Sequence, residues 1–280
     1  MTYTCFDVLI ENHIARIVLN RPEKRNAMSP EFWTELPSIV QDIDKNSKAR
    51  VIVISSTGPH FTAGIDLAAF SLGSSGNPSR EERLQAGAKF LGEVKLMQET
   101  FSCLEDCRIP VISAIQGGCI GGGVDLITAC DMRYGTEDSF ITIFETMIGM
   151  TADVGTFPRI TKLIPEGIAR ELAYTGRRMP AAECKEFGLF NQLFANQEEM
   201  MTFVMKKAQE IAARAPLAVM GCKRIITYSR DHSTADTLDY IATWNASMLL
   251  KEEIGEAVQA NQEKRPGNFV ERPKLTGFIG

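Results

Sequence analysis

Two short, almost wholly apolar runs, Val51-Ile52-Val53-Ile54 and Val111-Ile112-Ser113-Ala114-Ile115, constrain the fold of this chain more than any other feature. A strand without polar alternation has no solvent face, so it belongs inside a sheet covered on both sides. Each run leads into a stretch of small residues. After the first comes Phe61-Thr62-Ala63-Gly64-Ile65-Asp66-Leu67; after the second, Gly117-Gly118-Cys119-Ile120-Gly121-Gly122-Gly123-Val124-Asp125. Helical periodicity follows the second stretch directly. A strand, a glycine-bearing turn and a helix, used twice, predict an α/β fold.

The rest of the chain fits around these units. Residues 6–10 and 14–19 flank Glu11-Asn12-His13 and read as a hairpin. Ser29-Pro30 predicts a capped helix start with proline at its first position, and the helix runs to about Asp44 with a kink at Pro37. Residues 71–79, rich in Ser, Gly and Pro, read as a mobile surface loop. A long helix is expected over 81–104, and short strands over 132–143. From about residue 198 only helical periodicity remains, over 201–213, 216–228, 235–250 and 252–262. The expected division is a strand-and-helix core over 1–197 and a helical region over 198–280. No solenoid-type repeat is present.

Composition excludes several classes of function. A chain of 280 residues with 44% hydrophobic content can bury a large core. A net charge of −5 argues against a nucleic-acid surface, which needs a basic stripe. No apolar run approaches the ~20 residues that span a bilayer, so no membrane partner is expected. Seven cysteines without framework spacing read as reduced thiols. Cys103 and Cys107 have no matching His or Cys pair, so no metal is expected. The first residues lack a signal-peptide pattern, and the end Thr276-Gly277-Phe278-Ile279-Gly280 carries no peroxisomal tripeptide. The location expected on these grounds is cytoplasmic.

Three acids stand out among these features. Asp125 closes the glycine run, Glu145 lies in Ile143-Phe144-Glu145-Thr146, and Asp153 in Thr151-Ala152-Asp153-Val154-Gly155. A carboxylate among apolar residues is costly to bury, and such groups gather where protons are transferred. The glycine run itself reads two ways. It can be packing alone, letting a helix start close to a strand. It can also aim backbone N–H groups at a developing negative charge. Cys119 takes the second glycine position of a dinucleotide fingerprint, and no Gly-Lys-Ser/Thr is present, so a carbonyl oxygen is a better recipient than a phosphate. A second donor is available near Ala63-Gly64, giving a two-donor oxyanion hole worth roughly 3 kcal/mol per donor. There is no G-x-S-x-G elbow. His13, His60 and His232 read as surface residues, Lys24 and Arg25 as a solvated turn that could also meet a phosphate, and Trp244 and Met248 as core or interface packing.

These segments resemble the enoyl-CoA hydratase/isomerase (crotonase) superfamily from Val8 to about Val258. Asn20-Arg21-Pro22-Glu23-Lys24-Arg25-Asn26-Ala27-Met28 looks like its opening motif, residues 61–67 its first oxyanion segment and residues 117–131 its second. The resemblance implies a crotonase-type spiral of β-β-α units with a C-terminal helical region that assembles trimers or paired trimers. The acids choose the reaction. Hydratases of the family carry glutamate at both positions matching Asp125 and Glu145. Aspartate at the first, and the further acid Asp153, resemble the Δ3,5-Δ2,4-dienoyl-CoA isomerases, as do Tyr228-Ser229-Arg230-Asp231-His232-Ser233 and Trp244-Asn245. Phe144 departs from the pattern, because related enzymes often carry lysine before the glutamate.

The resemblance implies isomerisation of 3,5-dienoyl-CoA to 2,4-dienoyl-CoA in fatty acid β-oxidation. Glu145 would be the base at C2, Asp153 the acid at C6, and Asp125 their support. The N–H groups of Ala63 and Gly122 would hold the dienolate oxygen, with Gly64, Ile65, Asp66 and Leu67 also contacting substrate. No cofactor is expected, since coenzyme A arrives as part of the acyl-CoA thioester. The alternatives are a 2-enoyl-CoA hydratase and a non-catalytic RNA-binding homologue; the acid triplet and the negative charge argue against the latter.

Overall fold

The computed structural model describes residues 2–69 and 78–275. It opens on the expected hairpin, β1 (Phe6–Glu11) and β2 (Ile14–Leu19), antiparallel with Glu11 opposite Ile14. Asn12 and His13 have φ of 50° and 63°, the pair of left-handed residues that a tight two-residue turn requires. A 3-10 turn at Pro22–Lys24 follows, then α1 (Phe32–Lys45). This helix starts two residues later than Ser29-Pro30 predicts. The Ser29 hydroxyl donates to the Glu31 carboxylate at 2.5 Å instead of capping, and Glu31 occupies the N-cap. Pro37 lies inside the helix.

The first buried run is β3 (Val51–Ser56), and the long helix is α2 (Arg80–Asp106). Ser79 and Glu82 close a capping box at its start. Of the loop expected at 71–79, all but Pro78 and Ser79 lie outside the described residues. Next come β4 (Val111–Ile115), β5 (Gly118–Ile120), α3 (Gly122–Ala129), β6 (Met132–Thr136) and β7 (Phe140–Thr142). A 3-10 turn at Glu145–Ile148 precedes α4 (Thr156–Ile160) and α5 (Glu166–Thr175). Then β8 (Met179–Pro180), α6 (Ala181–Glu186) and β9 (Gln192–Phe194) lead into the helices α7 (Gln197–Ala212), α8 (Pro216–Ser229), α9 (Thr234–Met248) and α10 (Lys251–Glu263).

The strands form two sheets, ordered β1-β2-β3-β4-β6-β9 and β5-β7-β8. All pairs in the larger sheet after the hairpin are parallel. From β4 to β7 successive strands alternate between the two sheets, which sets β5 and its glycine run beside the end of β4. The two apolar runs occupy the middle of the larger sheet as expected. Ile52 and Ile54 face the main core with Phe32, Phe101, Val124 and Ile127. Val51 and Val53 face the other side with Ile112, Ala114 and residues Met200, Val204 and Ala208 of α7. All four side chains of the first run are fully buried, worth about 2 kcal/mol each by transfer alone.

Beyond α7, the helices are held by polar ties. Lys223 of α8 donates to the carbonyls of Leu104 (2.7 Å) and Ile109 (2.9 Å) and pairs with Asp131 at 2.9 Å. After α10 the chain returns to α1, where Arg272 meets Asp44 at 2.9 Å and Leu275 N–H donates to Lys45 O at 2.7 Å. Among the described residues, no helix is long and apolar enough to cross a membrane.

Candidate active site

The first oxyanion segment is sewn between the opening motif and β5. Asn26, left-handed at φ 54° and buried, donates its amide to Thr57 O (2.8 Å) and His60 O (3.0 Å) and accepts from Arg21 N–H at 2.8 Å. Thr62 N–H donates to Gly118 O at 3.1 Å, and Ile120 N–H returns a bond to Thr62 O at 3.1 Å. His60 joins the same seam, accepting Gly118 N–H at 3.0 Å. It is not the surface residue expected, whereas His13 and His232 are exposed.

The unengaged N–H in this segment is not that of Ala63, the donor expected. Ala63 N–H is already engaged with Arg25 O at 2.9 Å, so it has no proton to offer a ligand. Met28 brackets Ile65 instead, donating to Gly64 O at 2.8 Å and accepting from Asp66 N–H at 3.0 Å. In this parallel bridge the N–H of Ile65 points away from Met28. Neither Ile65 N–H nor Gly122 N–H has a protein acceptor among the described residues. Gly122 is the first residue of α3, where a helix leaves N–H groups unpaired.

Gly64 is what lets the two segments touch. Its φ is +82°, and a Cβ there would stand 2.6 Å from Ile120 O and 3.5 Å from Gly122 N. Only glycine allows this approach in that conformation.

A cavity of about 770 Å³ opens in front of these groups. Ala63, Gly64, Ile65, Leu67 and Gly122 line it, together with the acids Glu145 and Asp153. Asp66 does not. Its far wall is apolar and comes from α1 and α2, including Trp33, Phe90, Val94 and Met97. Helical spacing in the sequence marks these as packing residues and gives no sign that they face a ligand.

The acids occupy different environments. Glu145 begins its 3-10 turn, with one carboxylate oxygen beside Gly121 and the other buried without a hydrogen-bond partner among the described residues. Burial raises its pKa above the ordinary value, and the neighbouring charge of Asp153 adds to this. Asp153 is also raised by burial, while its own backbone N–H partly offsets the effect. Asp125 is fully buried behind the glycine run and does not line the cavity. Its Oδ1 accepts Thr156 N–H at 2.5 Å, and Oδ2 has no partner among the described residues. Burial first, and the Glu145 charge second, push its pKa up to about 7.

Phe144, exposed by 38%, lines the cavity beside Glu145. Lys24 and Arg25 are exposed. Among the described residues, no three His, Cys, Asp or Glu side chains are grouped so as to hold a metal ion.

Two unengaged backbone N–H groups at the junction of glycine-bearing turns, beside a cavity with carboxylates, form an arrangement able to stabilise an oxyanion and move protons. The family model for enoyl-CoA hydratase/isomerase matches residues 9–272, and the chain belongs to that family. Its similarity to particular members is extensive. It is 42% identical to the mitochondrial Δ3,5-Δ2,4-dienoyl-CoA isomerase of Mus musculus over 95% of this chain and 81% of that one. It is 39% identical to the peroxisomal enzyme of the same name from Arabidopsis thaliana, over 96% of this chain and 98% of that one. Among solved structures, an enoyl-CoA hydratase from Bacillus anthracis superposes with a TM-score of 0.84 at 28% identity, covering 95% of this chain and 99% of that one. The crotonase-type α/β fold with C-terminal helices follows from these matches.

The expected cytoplasmic location is overturned by the same relatives, which are named mitochondrial in mouse and peroxisomal in Arabidopsis. That expectation rested on the lack of a legible address. Such addresses are short, receptor-read and separable from the fold, so their absence from view places nothing.

Proposed function

We propose that the chain isomerises 3,5-dienoyl-CoA to 2,4-dienoyl-CoA within fatty acid β-oxidation. The observation that carries this reading is the presence of two carboxylates, Glu145 and Asp153, in one cavity with two unengaged N–H groups. Shifting both double bonds removes a proton at C2 and adds one at C6. Those carbons are four bonds apart, so two fixed carboxyl groups suit the reaction better than one. The near-full-length similarity to enzymes named for this activity supports the same conclusion.

Glu145, as carboxylate, takes the C2 proton. The electron pair moves onto the thioester oxygen, forming a dienolate that Ile65 N–H and Gly122 N–H hold. Collapse of the dienolate draws a proton from Asp153 to C6. Burial favours the protonated form of Asp153 that this step needs. Exchange with solvent then restores both acids. As written, the reaction calls for no cofactor beyond the coenzyme A carried by the substrate.

The hydratase alternative would set Asp125 and Glu145 on water. Asp125 is wholly buried and stands off the cavity wall, which denies it that water. Apolar residues exposed on α9, on α10 and between them, such as Leu238, Leu249, Ile254 and Val258, fit burial in a homo-oligomer. A trimer or a dimer of trimers is the assembly proposed, and sizing in solution tests it. The activity is tested by ultraviolet absorbance with a 3,5-dienoyl-CoA, since the conjugated 2,4-dienoyl thioester has its own band. Formation of that band at catalytic protein concentration is expected. Hydration of 2-enoyl-CoA without dienoyl turnover overturns the reading.

A further inference from the structure

Asp153 belongs to a stretch without regular structure between the Glu145–Ile148 turn and α4. Among the described residues, no side chain hydrogen-bonds its carboxylate. What fixes it is the backbone, and α2 grips that backbone from the side. Gln98 Nε2 donates to Asp153 O at 2.7 Å. Ser102 and Glu105 continue the same stripe of α2, four and three residues further on. Ser102 Oγ accepts from Arg159 Nη2 at 3.1 Å, and Glu105 accepts from Arg159 Nε at 2.9 Å. Arg159 in turn lies 3.5 Å from Gly155 O. At the far end of the stretch, Thr156 N–H is held by Asp125.

We propose that Gln98 is the positioning residue for the C6 proton donor, setting the place of Asp153 through its carbonyl oxygen. This rests on the reading of Asp153 as that donor. Glu145 is anchored separately: its turn closes at Gly149 in a left-handed conformation, and Thr146 Oγ1 donates to Ala173 O at 2.9 Å. Loss of the Gln98 bond therefore disturbs one half of the reaction. The dienolate still forms over Glu145, but protonation at C6 is delayed and the intermediate returns its proton to C2.

The test is Gln98→Met, which keeps length and helix propensity and removes the donor. In heavy water, deuterium incorporation at C2 and appearance of the 2,4-dienoyl band are followed together. Isomerisation kcat is expected to fall about 10-fold or more, the scale on which misplacement of a reacting group acts. KM should stay within about twofold and C2 exchange near the parent rate, so that exchange per turnover rises about 10-fold. Asp153→Asn is measured in parallel. A crippled Asp153→Asn beside a Gln98→Met with the parent ratio overturns this inference alone. An equal fall of exchange and turnover in Gln98→Met also overturns it, by showing general damage. A fully active Asp153→Asn removes the assignment of the acid, and the role of Gln98 falls with it.

Discussion

Asp125→Asn should make the protein more stable, and by an amount that depends on pH. The carboxyl is fully buried, and the amide that replaces it keeps an oxygen for the Thr156 N–H at 2.5 Å. What it loses is the ability to ionise where ionisation is unfavourable. The folded-state pKa of about 7 lies above the ordinary value of 3.8, so the folded protein binds this proton more tightly than the unfolded chain. The stability contributed is complete below pH 3.8, declines as pH rises through the interval, and is lost above about pH 7. An interval of about 3 pH units corresponds to about 4 kcal/mol. The variant has no such loss. Its advantage over the parent should be about 2 kcal/mol at pH 5 and about 4 kcal/mol at pH 8, flat beyond that. Urea unfolding followed by circular dichroism at fixed protein concentration, from pH 5 to 8, measures the difference; fixed concentration matters if subunits associate. A difference that does not change across this range would refute the argument that the buried acid holds a proton near neutrality.

Glu145→Gln should lower C2 exchange in heavy water by about 10²-fold or more, and exchange at the parent rate would move the base elsewhere. Gly64→Ala forces a Cβ to 2.6 Å from Ile120 O at φ +82°, separating the two donor segments. Its kcat should fall about 10²-fold in a protein that still folds, the scale of one lost oxyanion donor; normal turnover counts against the Ile65–Gly122 pair. Phe144→Lys places a cation beside Glu145, whose pKa burial has raised. The base must be ionised, so activity is lost as pH falls through that pKa, and the variant's low-pH limb of kcat/KM should move toward the ordinary carboxylate range. An unmoved limb would show that Phe144 does not govern the basicity of Glu145.

The architecture was legible where burial dictates composition. Val51 to Ile54 could only be an interior strand, and the structure divides these four side chains between two cores. The turn residues Asn12 and His13 were equally readable, because left-handed backbone favours few residue types. The helix start at Ser29-Pro30 was misread because a nearby acid, Glu31, captures the serine hydroxyl. No local pattern ranks a carboxylate two residues on above the helix's own N–H groups as a partner. Neither could the strands β8 and β9, of two and three residues, be read from so few side chains.

The site shows a different limit. Residue type and spacing pointed to the two glycine-bearing turns that the fold brings together, but which N–H is left open is a property of hydrogen-bond accounting. Ala63 and Ile65 stand two residues apart in the same small-residue turn. Arg25 O engages the first N–H, and Met28 brackets the second and leaves it open. Both partners come from the opening motif nearly 40 residues earlier, which chemistry alone gives no reason to connect with an oxyanion.

The acids carry the same lesson into energetics. All three looked alike in sequence, yet the fold sets two in the cavity and buries the third behind it. Burial and the Glu145 charge together keep Asp125 protonated up to about pH 7. Through Thr156 it braces the end of the stretch that carries Asp153. Placed in the cavity it would be a third carboxyl beside Glu145 and Asp153; placed behind, it acts on the site through the backbone it holds and leaves the cavity wall to the other two.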